Sequence, residues 1–133
     1  MFDRYLFRGK RHDGQWIEGN LCVYVEAHTK ERSCFIRDYD LDYAEDWDVI
    51  PATIGQSTGL KDKNGKLIFE GDIVNKGSLV NARVQFERGM WVRWGATQWP
   101  LYPANGVGVV GNIHDNPDMY EKPKPGRDVD TDA

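Results

Sequence analysis

The sequence predicts an all-β fold, and three observations carry that expectation. Aromatic residues are generous for 133 positions, with five Trp, six Tyr and five Phe, and aromatic and β-branched side chains suit the pleated, half-buried surface of a strand. Asp13-Gly14 and Asn64-Gly65 stand between extended apolar segments, the strongest short-range hairpin signal. No 11-residue window carries the 3.6-residue apolar period of a long amphipathic helix.

Taken in order, Tyr5 to Arg11 reads as a strand that enters the turn His12-Asp13-Gly14, and Trp16 to Val25 reads as its return, an N-terminal hairpin. Gly19 inside that return strand marks a bulge or a close approach of backbone. Ala27 to Arg32 is polar and reads as a loop before a short strand, Ser33 to Arg37. The acidic segment Asp38 to Asp48 follows, then the extended stretches Val49-Ile50-Pro51 and Thr53-Ile54-Gly55, where Pro51 bars a helical Ile50.

The second half is more clearly punctuated. Gly59 to Asp62 leads through Lys63-Asn64-Gly65-Lys66 into Leu67-Ile68-Phe69, and Glu70-Gly71-Asp72 turns the chain into Ile73-Val74-Asn75. Ala82 to Glu87 alternates, with Val84 and Phe86 on one face and Arg83, Gln85 and Glu87 on the other, as a half-buried strand does. Arg88-Gly89 turns it into Met90 to Trp94; a loop from Gly95 to Gly106 leads to a last strand, Val107 to Ile113. A short C-terminal helix is expected at Asn116-Pro117-Asp118-Met119-Tyr120, with Asn116 as cap, Pro117 in the first position and Asp118 on the positive end. The expected organisation is therefore one β domain over 1–117 and a Pro- and Asp-rich tail over 118–133 with nothing to bury.

A domain of this length buries roughly two-thirds of the surface its unfolded chain exposes, enough for a core of its own. The formal net charge is −4, but the segment from Asp115 onward holds six acids against three bases, leaving about −1 for the body. So nearly neutral a body lacks the overall basic field of a non-specific nucleic-acid binder. Cys22 and Cys34 have no second pair, which fits neither a zinc ribbon nor a disulfide-dense secreted scaffold. Two buried, reduced thiols are expected, with a single bridge left open. The charged start and the lack of a long apolar run lead to an expected cytoplasmic protein with no membrane segment.

Reactive constellations are demoted one by one. Asp38, Asp40 and Asp42 alternate as in a calcium loop, but Tyr43 and Val49 stand where that loop needs Gly and a bidentate Glu. An edge strand with acids outward explains them better. His12, His28 and His114 show no ligand spacing, so no metal is expected. Ser33, Ser57 and Ser78 lack a nucleophile's setting, and His114-Asp115 reads as the end of a strand beside a helix start. Gly106 to Gly111 reads as strand rather than as a phosphate-binding loop. No catalytic residue and no cofactor are expected.

The surface that stands out lies between Lys76 and Trp99. Lys76, Arg83, Arg88 and Arg93 face one acid, Glu87, and Trp91, Trp94 and Trp99 interleave them. Single-stranded nucleic acid is bound by such residues, with bases stacked on rings and phosphates on arginines. Protein interfaces use them equally, since Trp and Arg dominate hot spots. A third reading places most of the tryptophans in the core and leaves the arginines solvated, because strand alternation must bury one face. The acidic segment or tail of one copy also complements the basic segment of another, which suggests an oligomer weakened by salt.

Three segments resemble the YopX family of phage and prophage proteins: Arg4 to Arg11 with Gly14 and Trp16 to Gly19, Val49 through Gly59-Leu60-Lys61-Asp62-Lys63-Asn64-Gly65-Lys66 to Val74, and Val110 to Pro117. The resemblance implies a small β-rich protein of bacterial phages, without an assigned activity and with no catalytic residues to carry over. By analogy, such a glycine-bent meander forms a small bent or SH3-like barrel. The expected function is a protein-binding or self-assembling module in the bacterial cytoplasm, with a homo-oligomer or a phage or host protein as partner. A nucleic-acid-binding barrel is the alternative, and an enzyme with an unrecognised site comes third.

Overall fold

Glycine-marked turns set the strand boundaries in the computed structural model, which describes residues 5–38, 45–77 and 80–120. The strands are β1 (Phe7–Arg11), β2 (Trp16–Val25), β3 (Arg32–Asp38), β4 (Glu45–Lys61), β5 (Leu67–Phe69), β6 (Asp72–Asn75), β7 (Ala82–Glu87), β8 (Met90–Trp94), β9 (Gln98–Pro100) and β10 (Gly108–Asn112). They form two antiparallel sheets in the orders β1-β2-β3-β4-β5 and β10-β6-β7-β8-β9, so the fold is all-β. The chain divides into two units, Met1–Gly59 and Leu60–Ala133, each with its own buried cluster. The division falls inside the 1–117 span, between Gly59 and Leu60, where composition gives no sign of a boundary.

In the first unit β1 pairs with β4 as well as with β2, which closes a four-stranded ring. Cys34, Ile36 and Val49 are buried within it, and Phe7, Ile17, Leu21 and Ile54 pack against them. Closure needs two local devices. β2 serves β1 up to Gly19 and β3 from Asn20 onward, and at that handover a Cβ on Gly19 would lie 1.9 Å from the Arg37 carbonyl oxygen. Of the two readings of Gly19, close backbone approach is the one found. Where β1 meets β4, the register slips between Arg8 and Lys10. There the Thr53 hydroxyl accepts the Lys10 amide at 2.8 Å and donates to the Ile50 carbonyl at 2.6 Å, so the bulge leaves neither group unpaired.

The second unit is built around Ile68, Val74, Ala82, Val84, Leu101, Ala104 and Val107. Asn64-Gly65 turns β4 into β5 with Gly65 at φ +82°. Asp62 organises this turn. Its carboxylate accepts the Asn64, Lys66 and Val109 amides at 2.8–2.9 Å, tying the hairpin to β10. Gly71, at φ +90°, donates to Val84 and accepts from Ile113, while Asp72 takes the Phe69 amide at 2.8 Å. The turn expected at Glu70-Gly71-Asp72 is therefore present, and the Asp72 carboxylate holds it.

Four expectations are corrected. The C-terminal helix is a single 3-10 turn, Pro117–Met119, and Asn116 does not cap it, because the Asn116 Oδ1 accepts from the Asn112 amide instead. The Gly95–Gly106 loop contains β9, whose Pro100 masked it and whose neighbour Leu101 is fully buried. Phe86 is exposed, because the buried face of β7 ends at Val84. Cys22 is exposed rather than buried, and no bridge joins it to Cys34. Cys22 stands opposite Phe35 and Cys34 opposite Val23, so the two thiols project from opposite faces of the ribbon. Asp40, Asp42 and their neighbours, and the tail beyond Tyr120, lie outside the described residues.

Candidate functional site

The seven residues singled out between Lys76 and Trp99 all lie in the second unit, and strand parity sorts them. β7, β8 and β9 place Val84 opposite Arg93 and Arg93 opposite Trp99, so these share one face of the sheet. Trp91, two residues before Arg93, is on that face too; it packs against the buried cluster and meets the Phe86 ring edge-on at 5.0 Å between centroids. Arg83 and Trp94 oppose each other on the other face. Arg88 sits in the β7–β8 turn at φ +51°.

What the fold brings together is Lys76, Arg93 and Trp99. The Arg93 guanidinium lies over the Trp99 ring at 5.8 Å. With Pro100, Tyr102 and Pro103 they line an open depression of about 600 Å³. Trp99 is 57% exposed and Tyr102 74%, so both rings are presented to solvent. The same Arg93 and Trp99 border a smaller hollow of about 140 Å³ with Val80, Gly95 and Thr97.

Among the described residues, no carboxylate lines either space. Glu87, the lone acid of this stretch, is on the face of Arg83 and Gln85, where the side-chain amides of Gln85 and Gln98 both donate to it. Arg83 is engaged elsewhere. Burial pushes the Tyr120 phenol up, and the Arg83 charge opposes that shift, which puts Arg83 beside the C-terminal segment. Asn81 ties the same segment down by donating to the Met119 carbonyl at 2.8 Å. Tyr102, Pro100 and Pro103 were not singled out from the sequence. Their position depends on the β8–β9 register, which has no signature in the loop composition.

His114 and Asp115 fall in the turn after β10, where both amides donate to the Asn112 Oδ1. Their backbone role is to hold that turn. Among the described residues, no group of three or more His, Cys, Asp or Glu could hold a metal ion, and no helix is long and apolar enough to cross a membrane.

A comparison with curated proteins finds no match. Among solved structures the chain is similar to the crystal structure of protein EF1440 from Enterococcus faecalis, at 24% identity and a TM-score of 0.56 over 86% of this chain and 96% of that one. That likeness bears on the fold alone. The family model described as YopX protein matches residues 6–121, and the chain belongs to that family.

Proposed function

We propose that this YopX-family protein is a protein-interaction module, and that the Lys76–Arg93–Trp99–Tyr102 depression docks an acidic segment of a partner protein. The observation that carries the reading is the composition of the lining: two cations, two exposed aromatic rings and two prolines, with no carboxylate among them. Exposed Trp and Arg are the residues that dominate protein hot spots. An acidic partner gains charge complementarity from Lys76 and Arg93. Catalysis has no part in this reading. The SH3-like course expected for the barrel, the phage or prophage setting and the bacterial cytoplasm belong to the same proposal, supported by ring closure and by the family.

Single-stranded nucleic acid is the second reading, favoured by the stacking rings beside Lys76 and Arg93. It is weakened by the sorting of Arg83 and Trp94 to the opposite face, which removes a base and a ring from the track. Peptide selection on the immobilised protein tests the two. Acidic sequences should be enriched on the wild type, and Trp99→Ala should weaken the selected peptides about thirtyfold, the weight of a ~2 kcal/mol hot spot. Equal enrichment on wild type and on the Trp99→Ala, Arg93→Glu double variant would refute the docking site. A tryptophan fluorescence response to single-stranded DNA at low salt, lost in that double variant, would replace it with the second reading.

A further inference from the structure

The exposed end of the β2–β3 hairpin, in the first unit, is a different surface with a different chemistry. Val23, Tyr24 and Val25 are 53%, 71% and 51% exposed. Successive residues of a strand point to opposite faces, so exposed apolar side chains stand on both faces of this end of β2, although Cys34, opposite Val23, is buried. Leu21 to Val25 holds five residues with no charge, proline or glycine. Open strands of this kind are ordinarily guarded by such residues, because an unpaired edge is a template for another strand.

The hydrogen bonds fix which edge is open. At the hairpin end the Glu26 amide donates to the Glu31 carbonyl. Counting back in twos, Tyr24, Cys22 and Asn20 direct their backbone groups at β3. On the other side, the Arg11 amide donates to the Gln15 carbonyl, so Ile17 and Gly19 direct theirs at β1. The next residues in that series are Leu21, Val23 and Val25. β1 begins at Phe7, opposite Gly19, and among the described residues no strand pairs with β2 beyond it on that side. Each of the three presents an amide and a carbonyl in strand spacing, which is the chemistry of a β-strand partner.

We propose that the partner is the same strand of a second copy, paired antiparallel about a two-fold axis at Val23. In that register Val23 meets Val23 of the other copy, Leu21 meets Val25, Cys22 meets Tyr24 and Asn20 meets Glu26. No like charges oppose one another, and the outward-directed residues fall on hydrogen-bonded positions as the phase requires. The interface is isologous and closed, so it yields a dimer. It also turns a two-stranded ribbon, which is marginal alone, into four strands. This assembly stands without the Trp99 depression and is tested separately from it.

The test is light scattering after size exclusion on the full chain. The wild type should elute as a dimer. Val23→Lys sets two ammonium groups against each other at the axis and should raise the dissociation constant at least a hundredfold, with an unchanged circular dichroism spectrum. Val25→Lys is a second variant with the same expectation. Cys22 and position 24 would be a non-hydrogen-bonded pair across the axis, about 4.5 Å between Cα atoms. Oxidised Tyr24→Cys should therefore run as a covalent dimer on a non-reducing gel. A wild type monomeric at high concentration, or a dimer that persists in both lysine variants, overturns the proposal. So does a dimer dissolved by Trp99→Ala and not by Val23→Lys.

Discussion

Single residues fix the places where this fold has no alternative geometry, and Asp62 is the plainest case. It is 5% exposed and accepts three backbone amides. Burial pushes its carboxyl up, but the Val109, Lys66 and Asn64 amides and the Lys66 charge together outweigh that and hold it below the usual carboxylate range. A carboxyl lowered on folding adds stability that is present above the unfolded value, about pH 3.9, and is lost as pH falls through the folded one. Asp62→Ala should therefore cost about 2–4 kcal/mol at neutral pH, since charge-assisted bonds are lost and buried amides are left unpaired. In urea titrations at pH 7 and pH 3, the gap between wild type and variant should narrow at the lower pH. A gap independent of pH would mean that the carboxylate contributes no charge-dependent stability. Thr53 is a milder instance. Thr53→Val removes the acceptor for the Lys10 amide and should cost about 1–2 kcal/mol in the same assay.

Strands and turns were legible where local chemistry decides them, and illegible where pairing does. Asn64-Gly65, Asp13-Gly14 and Gly71-Asp72 announce turns because positive φ and side-chain acceptors leave a mark on composition. β9 left none. Pro100 reads as a loop residue, yet it is tolerated because β9 is the last strand of its sheet. The candidate site inherits that blindness. Trp91 and Arg93 can be set on one face by parity alone, but Trp99 joins Arg93, and Tyr102 joins both, only through the β8–β9 register. Gly19 shows the opposite case, a residue type that signals its element's special geometry without saying which neighbour demands it. The neighbour is the Arg37 carbonyl, so Gly19→Ala forces β2 and β3 apart at the point where the ring closes. Destabilisation of about 3 kcal/mol is expected from such overpacking. Its signature is local: hydrogen exchange should quicken in β1, β2 and β3 while β6 to β8 keep their protection. Uniform loss across all strands would show that the approach at Gly19 is not a local constraint.

At the scale of the whole molecule, the two units have unequal cores. Among the described residues the first buries Cys34, Ile36 and Val49 as a cluster, and the second buries seven residues, from Ile68 to Val107. At about 1.5–3 kcal/mol for each fully buried aliphatic side chain, the first ring has the smaller reserve of apolar burial. It is also the unit in which, among the described residues, no strand pairs with the outer edge of the β2 end. Anything that binds the folded form of this ring adds stability by mass action, in proportion to the logarithm of its concentration over the dissociation constant. A second copy is such a ligand. The thermal midpoint should therefore rise with protein concentration across the range where the dimer forms, and amides of Leu21, Val23 and Val25 should gain protection over that range. In Val23→Lys the midpoint should be independent of concentration and those amides should exchange as in dilute wild type. If the lysine variant kept the same dependence, some other contact would supply the stabilisation, and the hairpin edge would be solvated in the assembled protein.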